Sequence, residues 1–279
     1  MDNLKHVEGG FAGQQNHRIY YQGWLPEKEP GAILLVAHGL AEHGGRYRKL
    51  AERFVPLDYG VFAIDHQGHG KSQGRPGYVN HFQDYLVDLE TFHNIIRGMY
   101  PNTRTFLLGH SMGGTITAAY AIQHQEKLNG LVLSGASIIT GEGVNRPMVL
   151  AARLLSRLVP EASVSLIDPS DLSRDPAVVA AYRDDPLVYH GKISIRLGTE
   201  MLRTMREIQR QMTRIKLPVL IMHGSADRLS NPAGSEMLFR GISSPDRALK
   251  QYPSLYHEIL NEPECETVLS DLENWLKNV

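Results

Sequence analysis

The stretch TFLLGHSMGGTITAAYA, residues 105–121, decides the fold. Phe106 to Leu108 form an apolar run of strand character, and the Ala- and Thr-rich segment after them has the makings of a helix. Between the two, Gly109-His110-Ser111-Met112-Gly113 sets one hydroxyl among glycines in the pattern G-x-S-x-G. A strand that turns sharply into a helix brings the two backbones nearly into contact, so small residues are needed two positions either side of the turn. The turn pushes Ser111 out at the carboxyl end of a sheet, where the free N–H of Met112 at the helix start can bind an oxyanion. Strain of this kind makes sense for an exposed nucleophile; the alternative is a glycine-rich turn with an incidental serine.

Outward from this turn, short apolar runs recur at 32–37, 61–64, 131–133 and 219–222. Most are apolar on both faces, as expected of parallel strands covered by helices on both sides. Amphipathic segments lie between them. The clearest is 81–99, with Phe82, Tyr85, Leu86, Leu89, Phe92, Ile95, Ile96 and Met99 at helical spacing. Another follows Pro263, with Val268, Leu269, Leu272, Trp275 and Leu276. Alternating strand and helix predict a parallel sheet wound by crossovers, and the first twenty-five residues predict an antiparallel lead-in hairpin. The alternation breaks from 141 to 216, where no strand-like run is visible and prolines 147, 160, 169, 176 and 186 separate what read as several short helices. With MVLAARLLSRLV at 148–159, this segment is too apolar for a linker and reads as an insertion into a core formed by 1–140 and 217–279.

Of the 279 residues, 42% are hydrophobic and 21% charged, enough to bury a real core. A net charge of -1 gives no chain-wide basic field, so nucleic acid is not an expected partner. Cys265 is the only cysteine, which excludes an internal disulfide and fits a reducing compartment. The N-terminal MDNLKHVEGGFAG lacks the pattern of a signal peptide, and no apolar run approaches the ~18 residues of a membrane span. The expected setting is cytoplasmic, with peripheral membrane contact left open.

A serine hydroxyl needs a base held by a carboxylate, and on this architecture the chain order is serine, acid, histidine. LPVLIMHGSADRLSNP offers a buried strand followed by a loop with Asp227; ALKQYPSLYHEILNEP offers a strand, a turn and His257 before the last helix. Both sit where loops at the carboxyl ends of strands place sites. With 13 histidines in the chain, position and order carry the weight, against a solvated turn for Asp227 and a packed loop for His257. Asp171, Asp175, Asp184 and Asp185 are competing acids, but they follow no strand. His110 adjoins Ser111, yet successive side chains diverge at a turn. The second oxyanion donor is expected in VAHGLAEHGGRY, 36–47, where His38-Gly39 permits close approach and the amide of Leu40 is the natural donor.

Other signals weigh less. FAIDHQGHGKS, 62–72, nearly matches a phosphate-binding loop, but Asp65 takes the place of its first glycine and would repel phosphate. Asp65, His66 and His69 lack the companions of a hydrolytic metal site, so no metal is expected. Cys265 reads as a buried structural thiol away from any base. Arg146, Arg153 and Arg157 beside apolar residues fit either an anionic membrane or solvated arginines on a packed helix.

Together HGLAEHGGRY (38–47), DHQGHGKSQG (65–74), GHSMGG (109–114), DPLVYHG (185–191), HGSADRL (223–229) and YHEILNEP (256–263) resemble the monoacylglycerol lipase/lysophospholipase family of the α/β-hydrolase fold. They fall in order along nearly the whole chain. The resemblance implies a serine hydrolase that splits monoacylglycerol into fatty acid and glycerol without a cofactor. Matched by position, Ser111, Asp227 and His257 correspond to its catalytic triad, Leu40 and Met112 to its oxyanion donors, and Glu42, Arg46 and Tyr182 to its glycerol-end residues. The insertion 141–216 resembles its cap, whose apolar face shelters the acyl chain. One departure stands out: vertebrate members carry a second histidine three residues after the catalytic one, and here that residue is Leu260. The glycerol end is then expected to be rebuilt, with Asn261 or Glu258 nearby. Readings that compete are a lysophospholipase or general carboxylesterase, an acyltransferase or peptidase on the same scaffold, and a non-catalytic binding module.

Overall fold

A computed structural model describes residues 4–140, 151–152, 155–165 and 167–279. Of the apolar 148–159 stretch, residues 148–150 and 153–154 therefore lie outside the described residues, and with them Arg153, as does Arg146 before it. The alternating runs become β1 (Lys5–Ala12), β2 (Arg18–Leu25), β3 (Ala32–Ala37), β4 (Tyr59–Ile64), β5 (Arg104–His110), β6 (Gly130–Ser134), β9 (Val219–Gly224) and β10 (Arg247–Tyr252). They form one sheet in the order β1-β2-β4-β3-β5-β6-β9-β10. From β4 to β10 every pairing is parallel, while β2 runs antiparallel to β4 and β1 pairs antiparallel with β2 as the expected hairpin.

Side chains alternate across the sheet, so each central strand feeds two cores. Ile33, Leu35, Phe62, Ile64, Leu107 and Leu131 join one cluster, which takes in Phe82, Tyr85, Leu89 and Phe92 of α2 (Phe82–Met99) and Ile116 and Tyr120 of α3 (Met112–His124). Leu34, Val36, Val61, Phe106 and Leu108 face the other way, onto Leu50 and Phe54 of α1 (Arg48–Phe54) and Val268 and Leu272 of the C-terminal helix, Cys265–Asn278. Burial on both sides explains the unbroken apolar runs.

Between β6 and β9 the chain adds α4 (Pro176–Asp184), α5 (Ile195–Gln211) and a small antiparallel pair, β7 (Ser163–Ser165) with β8 (Ile193–Ser194). Two expectations need correcting here. The segment does contain strands, but two or three residues are too few to show a period of two. It also contains a helix of 17 residues instead of short helices only. IRLGTEMLRTMREIQRQ is so rich in charge that its apolar positions are easily overlooked. Leu197, Met205 and Ile208 nevertheless fall on one face and are buried, and Leu197 and Ile208 join the core cluster that contains α3.

Strand order reverses between β3 and its two neighbours: β4, next in sequence, lies on one side and β5 on the other. The loops after β3 and β5 therefore diverge and leave a crevice at the carboxyl edge of the sheet. Ser111 and Leu40 both stand there.

Candidate active site

Ser111 is the N-cap of α3, with φ 54° and ψ −117°, a conformation costing about 1–3 kcal/mol in a residue with a side chain. Its glycines are dictated by contact. A Cβ on Gly113 would stand 2.0 Å from the carbonyl oxygen of Ala37, and one on Gly109 would stand 2.2 Å from Oγ1 of Thr117. Helix α3 starts almost on top of the end of β3. Met112 begins the helix, so no preceding turn supplies a partner for its amide. The amide of Ser111 itself donates to Ser134 O, 3.0 Å away, tying the turn to the end of β6.

His257, 3% exposed, and Asp227, 8% exposed, come from the loops after β10 and β9, as their positions in the sequence predicted. His257 Nδ1 donates to Asp227 Oδ2 over 2.7 Å. The other carboxylate oxygen, Oδ1, accepts the amides of Leu229 at 2.8 Å and Ser230 at 2.9 Å. Burial would raise the Asp227 pKa, but the charge of His257 and the bonds from His223 and His257 hold it well below the usual carboxylate range. Burial would likewise lower the pKa of His257, and the facing Asp227 carboxylate outweighs it, so the imidazole titrates above its ordinary 6.5. Ser111, His257, His110, Gly39 and Leu40 all line one cavity of about 330 Å³.

Two residues that sequence reasoning missed support this pair. His223, at the end of β9, donates from Nε2 to the same Asp227 Oδ2 over 2.9 Å, while its Nδ1 lies 2.7 Å from Ser235 Oγ. The quoted HGSADRL segment carried it in plain view, four positions before the acid. Gly135, at φ 54°, leaves the dyad its space: a Cβ there would lie 3.3 Å from His257 Nδ1. His110 is engaged elsewhere. Its Nδ1 faces Ser134 O at 3.0 Å, and burial together with repulsion from His257 lowers its pKa to about 4. Of the competing acids, Asp175 caps α4 through the Ala177 amide, Asp185 meets His43 Nε2 at 2.9 Å, and Asp171 accepts from Arg228 Nη1 at 3.4 Å.

The three residues matched to the glycerol end converge, and a fourth joins them. Arg46 makes a two-pronged contact with Glu258, Nη1 to Oε1 at 2.6 Å and Nη2 to Oε2 at 2.8 Å, while Nη1 also reaches Glu42 Oε2 at 2.9 Å. Its guanidinium lies 4.9 Å from the ring centre of Tyr182. Asn261 donates to Glu258 Oε2 at 2.9 Å, and Tyr47 donates to Glu42 Oε1 at 2.9 Å. Burial would raise the Glu258 pKa, yet the Arg46 charge holds it below the usual range. Glu42, Tyr182 and Glu258 line the cavity, whereas Arg46 sits behind the two carboxylates. Apart from Ser137 and Thr140, the rest of the wall is largely apolar, including Ile139, Leu172, Ile193, Met201 and Met205.

The near match to a phosphate loop serves as a turn: Asp65 accepts the amides of Gly44 at 2.7 Å and Lys71 at 2.8 Å. Cys265 is buried at the start of its helix as expected, but not isolated, since Lys49 Nζ donates to its Sγ over 2.7 Å.

A strained serine at a strand–helix turn and a carboxylate-held histidine, raised at the switch point of a mostly parallel sheet, define an α/β-hydrolase of the serine type. The family described as "Serine aminopeptidase, S33" matches residues 28–264. The monoacylglycerol lipase of Mycolicibacterium smegmatis is 38% identical over 96% of both chains, and the monoglyceride lipase of Rattus norvegicus 37% identical over 93% of this chain and 87% of its own. A soluble variant of monoglyceride lipase from Saccharomyces cerevisiae, solved with a substrate analog, superposes with a TM-score of 0.86 at 27% identity, covering 100% of this chain and 95% of that one. The chain belongs to the monoacylglycerol lipase family of the α/β-hydrolases.

Proposed function

We propose that this chain is a serine ester hydrolase that converts monoacylglycerol into free fatty acid and glycerol through an acyl-enzyme. The observation that carries this reading is that the Ser111 turn and the Asp227-anchored His257 open on one apolar cavity with a polar end. His257 Nε2 takes the proton of Ser111 as Oγ attacks the ester carbonyl, while Asp227 holds Nδ1–H and fixes the tautomer. The tetrahedral oxyanion rests on the amides of Leu40 and Met112. Collapse expels glycerol, protonated by His257; water then attacks the acyl-enzyme with the same base and releases the fatty acid.

Residues 141–216 act as the cap. Their apolar wall supplies binding energy at about 0.8 kcal/mol per buried CH₂ of the acyl chain. At the other end Glu42, Tyr182 and Glu258, held by Arg46, receive the glycerol hydroxyls. Two carboxylates against one guanidinium leave that end net negative, which suits a neutral diol that donates hydrogen bonds and repels a phosphate headgroup. This favours monoacylglycerol over lysophospholipid.

The cap also meets lipid surfaces. Leu155, Leu158 and Val159 are 46%, 72% and 48% exposed. In the same stretch Arg157 lines an open cleft with Arg196, Arg203, Arg206 and Arg210 and with Glu200 and Glu207; the glutamates pair with Arg196 and Arg210, while Arg203 and Arg206 make no ion pair among the described residues. Apolar side chains bordered by arginines suit peripheral binding to an anionic bilayer; no helix among the described residues is long and apolar enough to cross one.

Hydrolysis of a monoacylglycerol by wild type and by Ser111→Ala, with fluorophosphonate labelling of both, tests the reading. Turnover and labelling are expected from wild type alone; equal turnover by the two proteins overturns it.

A further inference from the structure

We infer that His38 is a positioning residue of the oxyanion hole, acting by fixing the plane of the Gly39–Leu40 peptide. The inference rests on the reading of the Leu40 amide as an oxyanion donor. A trans peptide points its C=O and its N–H in opposite directions, so whatever holds the carbonyl of Gly39 also aims the N–H of Leu40. His38 Nδ1 lies 2.7 Å from Gly39 O. The other ring nitrogen decides which of the two carries the proton. The backbone N–H of His66 donates to His38 Nε2 over 2.9 Å, so Nε2 is the acceptor and Nδ1–H donates to Gly39 O.

The ring itself has little freedom. His38 is fully buried, with the rings of His66 and His69 centred 4.4 and 5.2 Å away. Burial and these two neighbours lower its pKa well below 6.5, which keeps Nε2 free to accept. The preceding peptide is locked as well: the Gly39 amide donates to Glu42 Oε1 over 2.6 Å. Position 39 is also crowded: a Cβ there would lie 2.9 Å from Glu42 Oε1 and 3.2 Å from Cβ of Ser111. The loop after β3 is therefore clamped on both sides of Gly39, and Leu40 is left facing the cavity that holds the nucleophile. An N–H aimed in advance costs no reorganisation when charge develops on the substrate oxygen, which is where such donors act.

Two near-isosteric variants separate this role from simple packing. In His38→Asn the amide nitrogen sits near the place of Nδ1 and keeps a donor for Gly39 O, but the bond from His66 is lost. In His38→Gln the side-chain end sits near the place of Nε2 and keeps an acceptor for His66, but the clamp on Gly39 is lost. With a monoacylglycerol as substrate, His38→Gln is expected to lose on the order of 10²-fold in kcat with KM within about twofold, while His38→Asn stays within about fivefold of wild type. A boronic-acid transition-state analogue should weaken in step with kcat, and the melting temperatures of folded protein report packing separately. Equal kcat for the two variants, or a loss carried by KM, overturns the inference. If Ser111→Ala still turns over substrate, the reading of the nucleophile fails instead, and the His38 pair reports on that question not at all.

Discussion

At Asp227 one carboxylate oxygen serves two imidazoles, and the charge of that carboxylate sets the pH behaviour of His257. His257 acts as a base only when neutral, and its pKa is raised above 6.5, so activity is absent at low pH and appears as pH climbs through that raised value. The acid limb of kcat/KM is expected to lie above 6.5. Asp227→Asn removes the attraction that raises the imidazole and leaves burial to lower it, so its limb moves to lower pH while the maximum rate falls about 10⁴-fold. A pH–rate profile of both proteins checks this; an unmoved limb contradicts it. Glu258→Gln removes one of the two charges at the polar end, so the preference for monoacylglycerol over lysophosphatidic acid should drop by about tenfold or more in a kcat/KM comparison. The loops that carry Ser111, Asp227 and His257 were legible in the sequence because strand ends mark themselves by apolar runs. Glu258 was only half legible: position 258 adjoins His257, but its two-pronged contact joins it to a residue 212 positions away.

Among the elements, the β5–α3 turn depends most on side-chain size. Gly113→Ala drives a Cβ into rigid backbone at Ala37, 2.0 Å away, and should cost about 3 kcal/mol or more together with most of the activity. Gly98→Ala near the end of α2 is the matched control, since a Cβ there meets nothing within 4 Å, and it should raise stability by about 0.5–1 kcal/mol. Denaturant unfolding of the two variants measures both. The same turn shows why strong elements were readable. Fully buried strands and α2 announce themselves by unbroken or periodic apolar residues, whereas β7 and β8 are too short for any period and α5 hides its apolar face among arginines and glutamates.

Across the whole molecule, the exposed apolar residues and unpaired arginines described between β6 and β9 lead us to predict a salt-dependent lipid interaction. Each arginine near an anionic surface contributes about 1 kcal/mol, so the double variant Arg203→Glu, Arg206→Glu should bind phosphatidylserine-containing vesicles at least tenfold more weakly than wild type. Sedimentation with anionic and with neutral vesicles decides it, and unchanged anionic binding rejects this surface. The sequence by itself determined the layered architecture, the strand–helix turn at Ser111, and which loops carry Asp227 and His257. These features are local: an apolar run, a glycine spacing and a loop that follows a strand are each written within some twenty residues. Only the tertiary structure decided that His223 shares the acid, that Arg46 stands behind Glu42 and Glu258, and that His38 grips the peptide before Leu40. Those contacts join segments by hydrogen bonds whose partners are set by how the sheet edges and loops pack, and no periodicity along the chain records which polar atoms will face one another.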